Sequence, residues 1–204
     1  AATEHQCVVR LKGGDPYVFG RGAEEAEALH AAGVPFEVVP GISSAIAGPA
    51  YAGIPLTHRA CCTQFTVFTA HEDANKTEST LDIAGIAAAK GTKIMLMGMS
   101  RLRRTLEALM AAGQGGDVPA AAIQWAATAR QRSVTSSVAG LADAVEAAGL
   151  GAPAVVVIGD VVAYADTLDW YSRLPLFGKR VVVTRTREQA GELSAELAAL
   201  GADV

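Results

Sequence analysis

A mixed α/β fold is predicted, and three features of the sequence predict it. Short β-branched, apolar runs recur along the chain, glycine- or proline-bearing loops follow them, and the loops lead into stretches of strong helix formers. Half of the 204 residues are apolar, 5% are aromatic and 19% are charged, which suits a packed core rather than a disordered chain. Tandem strand-loop-helix units favour a parallel sheet.

The first unit runs from a strand over residues 7–11 (CVVRL) through a loop at 13–22 (GGDPYVFGRG) to a helix from Ala23. Glu24 and Glu25 sit in that helix's first turn, where the helix dipole favours acids, and Gly33 ends it. The second unit has a strand at 35–39 (PFEVV), a loop (PGISS) and a helix of small residues over 44–52 ending near Gly53. Pro55 and the sequence LTHRACC interrupt the pattern before a third strand at 65–68. Further strands are expected at 93–97, 120–125, 133–137 and 154–158, with helices at 81–90, 102–112 and 141–148. Residues 166–178 keep no sustained period. KRVVVT from Lys179 and the amphipathic REQAGELSAELAALG after it open a second region, which sets a boundary near residue 174. Length agrees, since 204 residues at about 150 per domain is about 1.4 domains.

Seventeen basic and 21 acidic residues give a net charge of −4, which argues against broad attraction to nucleic acid or anionic membrane. Tyr17, Phe19, Trp125 and Tyr164 are too scattered to form a base-stacking platform. No apolar run reaches the roughly 18 residues of a spanning helix. Cys7, Cys61 and Cys62 are odd in number and form no C-x-x-C, so neither a disulfide framework nor a zinc site is indicated and a reducing cytoplasm is expected. His5 and His30 lack clustered partners at ligand spacing, so no metal is assigned. The chain opens on AATE and closes on GADV, where another strand is expected to start, and is read as a piece of a longer protein.

The loop at 13–22 is the most informative stretch. Two glycines directly after a strand let a ligand approach the backbone and expose amide donors, yet neither G-x-G-x-x-G nor G-K-[ST] is present, which disfavours a dinucleotide or P-loop site. Asp15 before Pro16 is a candidate acceptor for a bound hydroxyl or amine; the alternative is an N-terminal cap or turn residue. PGISSA puts two hydroxyls at a strand's end, where open α/β sheets bind ligands, and helix capping explains it as well. Ser43 is no hydrolase nucleophile, because G-x-S-x-G is absent. His58 beside Arg59, and His71 beside two acids, are candidates for handling a proton. Arg101, Arg103 and Arg104 form one basic group and Arg130 with Arg132 another, whose guanidinium forks suit carboxylates if they face a cleft.

VVRLKGGDPYVFGRGAEEAEAL and VPFEVVPGISSAIAGPAYAGIPLTHR, within residues 7–59, resemble the uroporphyrinogen-III C-methyltransferase family of tetrapyrrole methylases. The likeness continues through FTAHED, IMLMGM, WAATARQR and APAVVVIGDVV, to about residue 170. Residues 175–204 resemble the opening of uroporphyrinogen-III synthase. The resemblance implies domains at 1–173 and 174–204, two α/β lobes with S-adenosyl-L-methionine in the cleft between them, and a homodimer. It maps cofactor contacts onto Gly13, Gly14, Asp15 and Val18, onto Ser43 and Ser44, onto Met97, and onto Ala126 and Ala154. Relatives commonly carry threonine or alanine at the two serines and often glycine at Ala126 or Ala70, so an added methyl is expected to narrow the adenine side.

The implied reaction moves methyl groups from a sulfonium to C2 and then C7 of uroporphyrinogen III, giving precorrin-2 for siroheme or cobalamin. Such a polycarboxylate macrocycle calls for cations, and Arg130 and Arg132 are the first candidates, with Arg59 behind them. The family's GPGDP loop and its proton-handling residues fall upstream of VVRLKGGDP, so no catalytic residue is assigned and little activity is expected of the chain alone. Three other readings are open: a sister methylase acting on a later precorrin, a noncatalytic module that positions tetrapyrroles, and a nucleic-acid methyltransferase.

Overall fold

The computed structural model describes residues 7–70 and 81–204, and of residues 187–189 the backbone alone. The chain divides into two compact units, Ala1–Ser44 and Ala45–Val204.

In the first unit the described residues contain one helix, α1 (Gly22–Ala31), and the start of a second, α2 (Ser44–Tyr51). The strands expected at 7–11 and 35–39 are not formed. A β-branched run becomes a strand only when a neighbour completes its ladder. Val9, Leu11 and Val39 are instead 80%, 83% and 72% exposed. Charge ties the early segment to α1: Glu25 accepts the Lys12 ammonium at 2.9 Å and the Arg10 guanidinium at 3.3 Å.

The second unit is built on a five-stranded sheet of β1 (Phe65–Thr69), β2 (Thr92–Leu96), β3 (Pro119–Gln124), β4 (Arg132–Ser137) and β5 (Ala154–Ile158). The spatial order is β1-β2-β5-β3-β4. Only β1 and β2 run parallel, so the expected parallel sheet is corrected to a mixed one. The reason is β5, which the chain delivers last and inserts antiparallel between β2 and β3. Its sequence AVVVI is buried on both faces, as a central strand requires.

Alternation at period two sorts the sheet's side chains. Ile94, Leu96, Ala121, Ile123, Val155 and Val157 pack with Ala45 of α2 and with Val161 and Val162 of the turn at Asp160–Tyr164. Met95, Ala120, Ala122, Val156 and Ile158 pack on the other side with α3 (Ile83–Ala88), α4 (Leu102–Ala111) and α5 (Leu141–Ala147). Leu106 and Leu109 of α4 and Leu141 of α5 are essentially sealed from solvent.

After the short α6 (Ala165–Leu168), the segment without a period is held on α2 by aromatic rings. Tyr51 meets Trp170 and Tyr171 with ring centroids 5.1 and 4.8 Å apart, and Trp170 Nε1 donates to Ala50 O. Residues 174–204 fall within this same unit, where α7 (Arg187–Ala199) lies between the two partners of a parallel bridge, Arg180 and Asp203. KRVVVT therefore forms one bridge rather than a full strand.

Candidate functional site

In the first unit two loops meet main chain to main chain. The Asp15 carboxylate joins them, accepting from Tyr17 N–H at 2.9 Å with Oδ1 and from Gly41 N–H at 3.1 Å with Oδ2. These two amides hold its pKa below the ordinary carboxylate value. The loops approach so closely that a Cβ on Gly41 would stand 2.7 Å from Gly14 O, so only glycine fits. A Cβ on Gly13 would meet open space, which leaves that side of the backbone bare. Val18 is exposed, Ser43 is buried and Ser44 begins α2. Asp15 thus serves the turn and clamps the two loops together.

In the second unit the strand directions settle which residues share an edge. The C-terminal ends of β1, β2 and β3 lie beside the N-terminal ends of β4 and β5, with Thr69 opposite Leu96, Leu96 opposite Val155, and Gln124 opposite both Ala154 and Arg132. Met97, Ala126 and Ala154 are therefore brought to one edge, together with Ala70, Arg130 and Arg132. Two strands leave this edge through left-handed backbone at non-glycine residues, Met97 at φ 53° and Trp125 at φ 52°, with Ala127 at φ 60° close behind. Each such residue costs roughly 1–2 kcal/mol, and strain of this kind collects at functional sites. Among the described residues the peptide groups of Met97 and Ala126 take no turn or loop hydrogen bond.

The methyl of Ala126 packs with the sheet's α2 side, where a Cβ added to Gly48 would lie 3.4 Å from it. It therefore enters the apolar cluster under α2.

The arginines separate. Arg130 lies over Trp125, its Cζ 4.5 Å from the ring centroid, and among the described residues it has no carboxylate partner. Arg132 donates to Ala148 O just past α5, which leaves other guanidinium N–H groups for a ligand. Arg103 is taken by Asp143 and Glu146, at 2.7 and 3.2 Å. Arg59 is corrected as a neighbour of these: its loop adjoins the start of β2, where Cys62 Sγ meets Thr92 Oγ1 and Gln64 O accepts Thr92 N–H, at the opposite edge of the sheet. His58 is engaged there, its Nδ1 accepting from Ala60 N–H at 3.2 Å and meeting the Tyr164 hydroxyl at 3.1 Å. His71 lies outside the described residues.

Sequence reasoning missed Thr128 and Gln131. The Thr128 hydroxyl donates to Trp125 O at 2.7 Å, and Gln131 spans from the loop to α2. The signal was the polar pair inside WAATARQR, where buried amides and hydroxyls serve the backbone. A cavity of about 610 Å3 lies elsewhere, lined by Val181, Val182, Val183, Arg185 and Ser194 among others. It is the open flank of residues 180–204, where Val182 is 79% exposed. Among the described residues no cluster of three metal-ligating side chains occurs. No helix among them is long and apolar enough to cross a membrane.

A mixed sheet with helices on both faces and left-handed, non-glycine backbone where its strands end has the layout of an α/β ligand-binding domain. The chain belongs to the tetrapyrrole (corrin/porphyrin) methylases, whose family pattern matches residues 1–142. It is 52% identical over 167 residues to the S-adenosyl-L-methionine-dependent uroporphyrinogen III methyltransferase of Methanosarcina barkeri, covering 82% of this chain and 66% of the relative. It is 42% identical over 197 residues to a uroporphyrinogen-III C-methyltransferase of Bacillus subtilis, covering 97% of this chain and 41% of the relative. The chain therefore spans between about two fifths and two thirds of the length of these relatives. Its fold matches the crystal structure of uroporphyrin-III C-methyltransferase from Thermus thermophilus complexed with S-adenosylhomocysteine, with TM-score 0.68 and 34% identity over 79% of this chain and 69% of that one.

Proposed function

We propose that the protein binds S-adenosyl-L-methionine and methylates uroporphyrinogen III at C2 and C7, giving precorrin-2. The carrying observation is the left-handed main chain at Met97 and on both sides of Ala126, at Trp125 and Ala127, set on one sheet edge with Ala154 and Arg130. In this reading Gly13, Gly14, Asp15, Val18, Ser43 and Ser44 are assigned to nucleoside recognition, as are Met97, Ala126 and Ala154. The bare backbone at Gly13 and the Asp15 clamp fit a ligand recognised through peptide groups. When bound, the donor supplies a methyl on positively charged sulfur. The chain's part is to align the pyrrole carbon with that methyl and exclude water; orientation of this kind supplies roughly 7–11 kcal/mol of a barrier. Arg130 and Arg132 meet substrate carboxylates, and Arg59 is left out because it stands at the far edge.

In the same reading residues 174–204 begin a uroporphyrinogen-III synthase-like domain, supported by α7 lying between the two partners of a parallel bridge. The protein acts as a homodimer in the cytoplasm, with no nucleic acid or membrane as partner. Calorimetry with S-adenosylhomocysteine tests the donor site, and turnover of uroporphyrinogen III against later precorrins tests the substrate. Arg130→Glu is expected to weaken tetrapyrrole binding at least tenfold, the scale of losing one charge-assisted hydrogen bond, with nucleoside binding unchanged. Equal loss of both ligands counts against the assignment.

A further inference from the structure

We infer that Gln131 is a positioning residue, which sets the backbone of the loop at 125–130 against α2 and so places the main chain of Ala126 and the guanidinium of Arg130 for ligands. The inference rests on the functional reading above, and nothing in the family motifs requires it.

Gln131 is 7% exposed, and both ends of its amide are satisfied. Oε1 accepts from Ala127 N–H at 2.9 Å, and Nε2 donates to Tyr51 O at 3.0 Å, at the end of α2. Its own N–H donates to Thr128 O at 2.9 Å. The Thr128 hydroxyl donates to Trp125 O at 2.7 Å and accepts from Arg130 N–H at 3.2 Å, while Trp125 N–H donates to Pro153 O at 3.1 Å. This web encloses two left-handed residues, Trp125 and Ala127, that a free peptide would abandon. Of these side chains only Gln131 reaches across to another element. A buried amide that pairs a strained loop with a helix end fixes where the loop sits, since breaking it leaves buried polar groups unpaired. The Arg130 and Trp125 stack rides on the loop thus held.

The test uses Gln131→Met, which keeps size and removes both bonds, and Gln131→Glu, which keeps the acceptor for Ala127 N–H. Val145→Ala, a core truncation on the other face of the sheet, controls for lost stability. S-adenosylhomocysteine binding is measured by calorimetry, and the Trp125 indole N–H resonance is followed in ligand-free protein. Gln131→Met is expected to weaken binding about 10- to 100-fold, the scale of leaving one buried hydrogen-bonding group unpaired, and to shift the indole resonance, while Val145→Ala does neither. Gln131→Glu is expected to recover affinity as pH falls from 8 to about 5.5, because its neutral carboxyl regains a proton for Tyr51 O. Wild-type affinity in Gln131→Met, or a loss no larger than that of Val145→Ala, overturns the inference. Failure of the wild type to bind the nucleoside overturns the functional reading instead. The ligand-free indole resonance then decides this inference alone: an unmoved signal in Gln131→Met ends it.

Discussion

At the residue scale the first unit depends on charge meeting backbone. Asp15 has its pKa lowered by the amides of Gly41 and Tyr17, and Glu25 has its own lowered by the Lys12 ammonium and then by Arg10. For carboxyls shifted down, the stabilisation is whole above their ordinary values of 3.8 and 4.5 and is lost as pH falls through the lowered ones. The amide protons of Gly41 and Tyr17 should titrate together with a midpoint below 3.8. A midpoint at or above that value contradicts the clamp. Asp15→Asn, which keeps one acceptor and turns a donor towards Gly41 N–H, is expected to weaken nucleoside binding on the order of tenfold, checked by calorimetry. Lys93 presents the opposite case. It is 5% exposed on β2, has no partner among the described residues, and burial pushes its pKa down. Lys93→Met should raise the melting temperature by roughly 2–4 °C, about 1 kcal/mol for a chain of this size; a fall would show that the ammonium has a partner.

At the element scale β1, β2, β3 and β5 were legible because they are largely apolar, short and bounded by turn residues, and α4 because Leu102, Leu106 and Leu109 recur at helical spacing. The runs at 7–11 and 35–39 look the same locally, and no local signal reveals whether a pairing strand exists. The parallel expectation failed for a related reason, since AVVVI shows that β5 is buried but not which neighbours bury it. The segment at 166–178 lacked a period because rings rather than a helical face attach it to α2. Gly53 makes that attachment possible: at φ 69° it lies against the backbone of Leu168 and Asp169, where a Cβ would collide. Gly53→Ala should cost at least about 1–2 kcal/mol and expose Trp170 further, seen as a lower melting temperature with red-shifted tryptophan emission. Unchanged emission would show that the segment is held without it.

At the scale of the whole molecule, one sheet is buried on both faces, and its strand directions gather the residues proposed for ligand binding in the second unit at one edge. At that edge the sequence named Met97, Ala126 and Ala154 through the family resemblance and Arg130 through its charge. Thr128 and Gln131 escaped notice because their work is hydrogen bonding to backbone, which leaves no spacing to read. Arg59 was misplaced because a basic residue in the sequence does not disclose which end of a strand it accompanies. The cavity beside residues 180–204 is the rival location for a ligand. The most direct measurement is a titration of the chain with S-adenosylhomocysteine, read at the backbone amides by heteronuclear NMR. The account predicts saturable shifts at Gly13, Gly14, Asp15, Met97, Ala126 and Ala154, with Arg185 and Ser194 unmoved. Shifts confined to Arg185, Ser194 and their neighbours, or none anywhere, would contradict it.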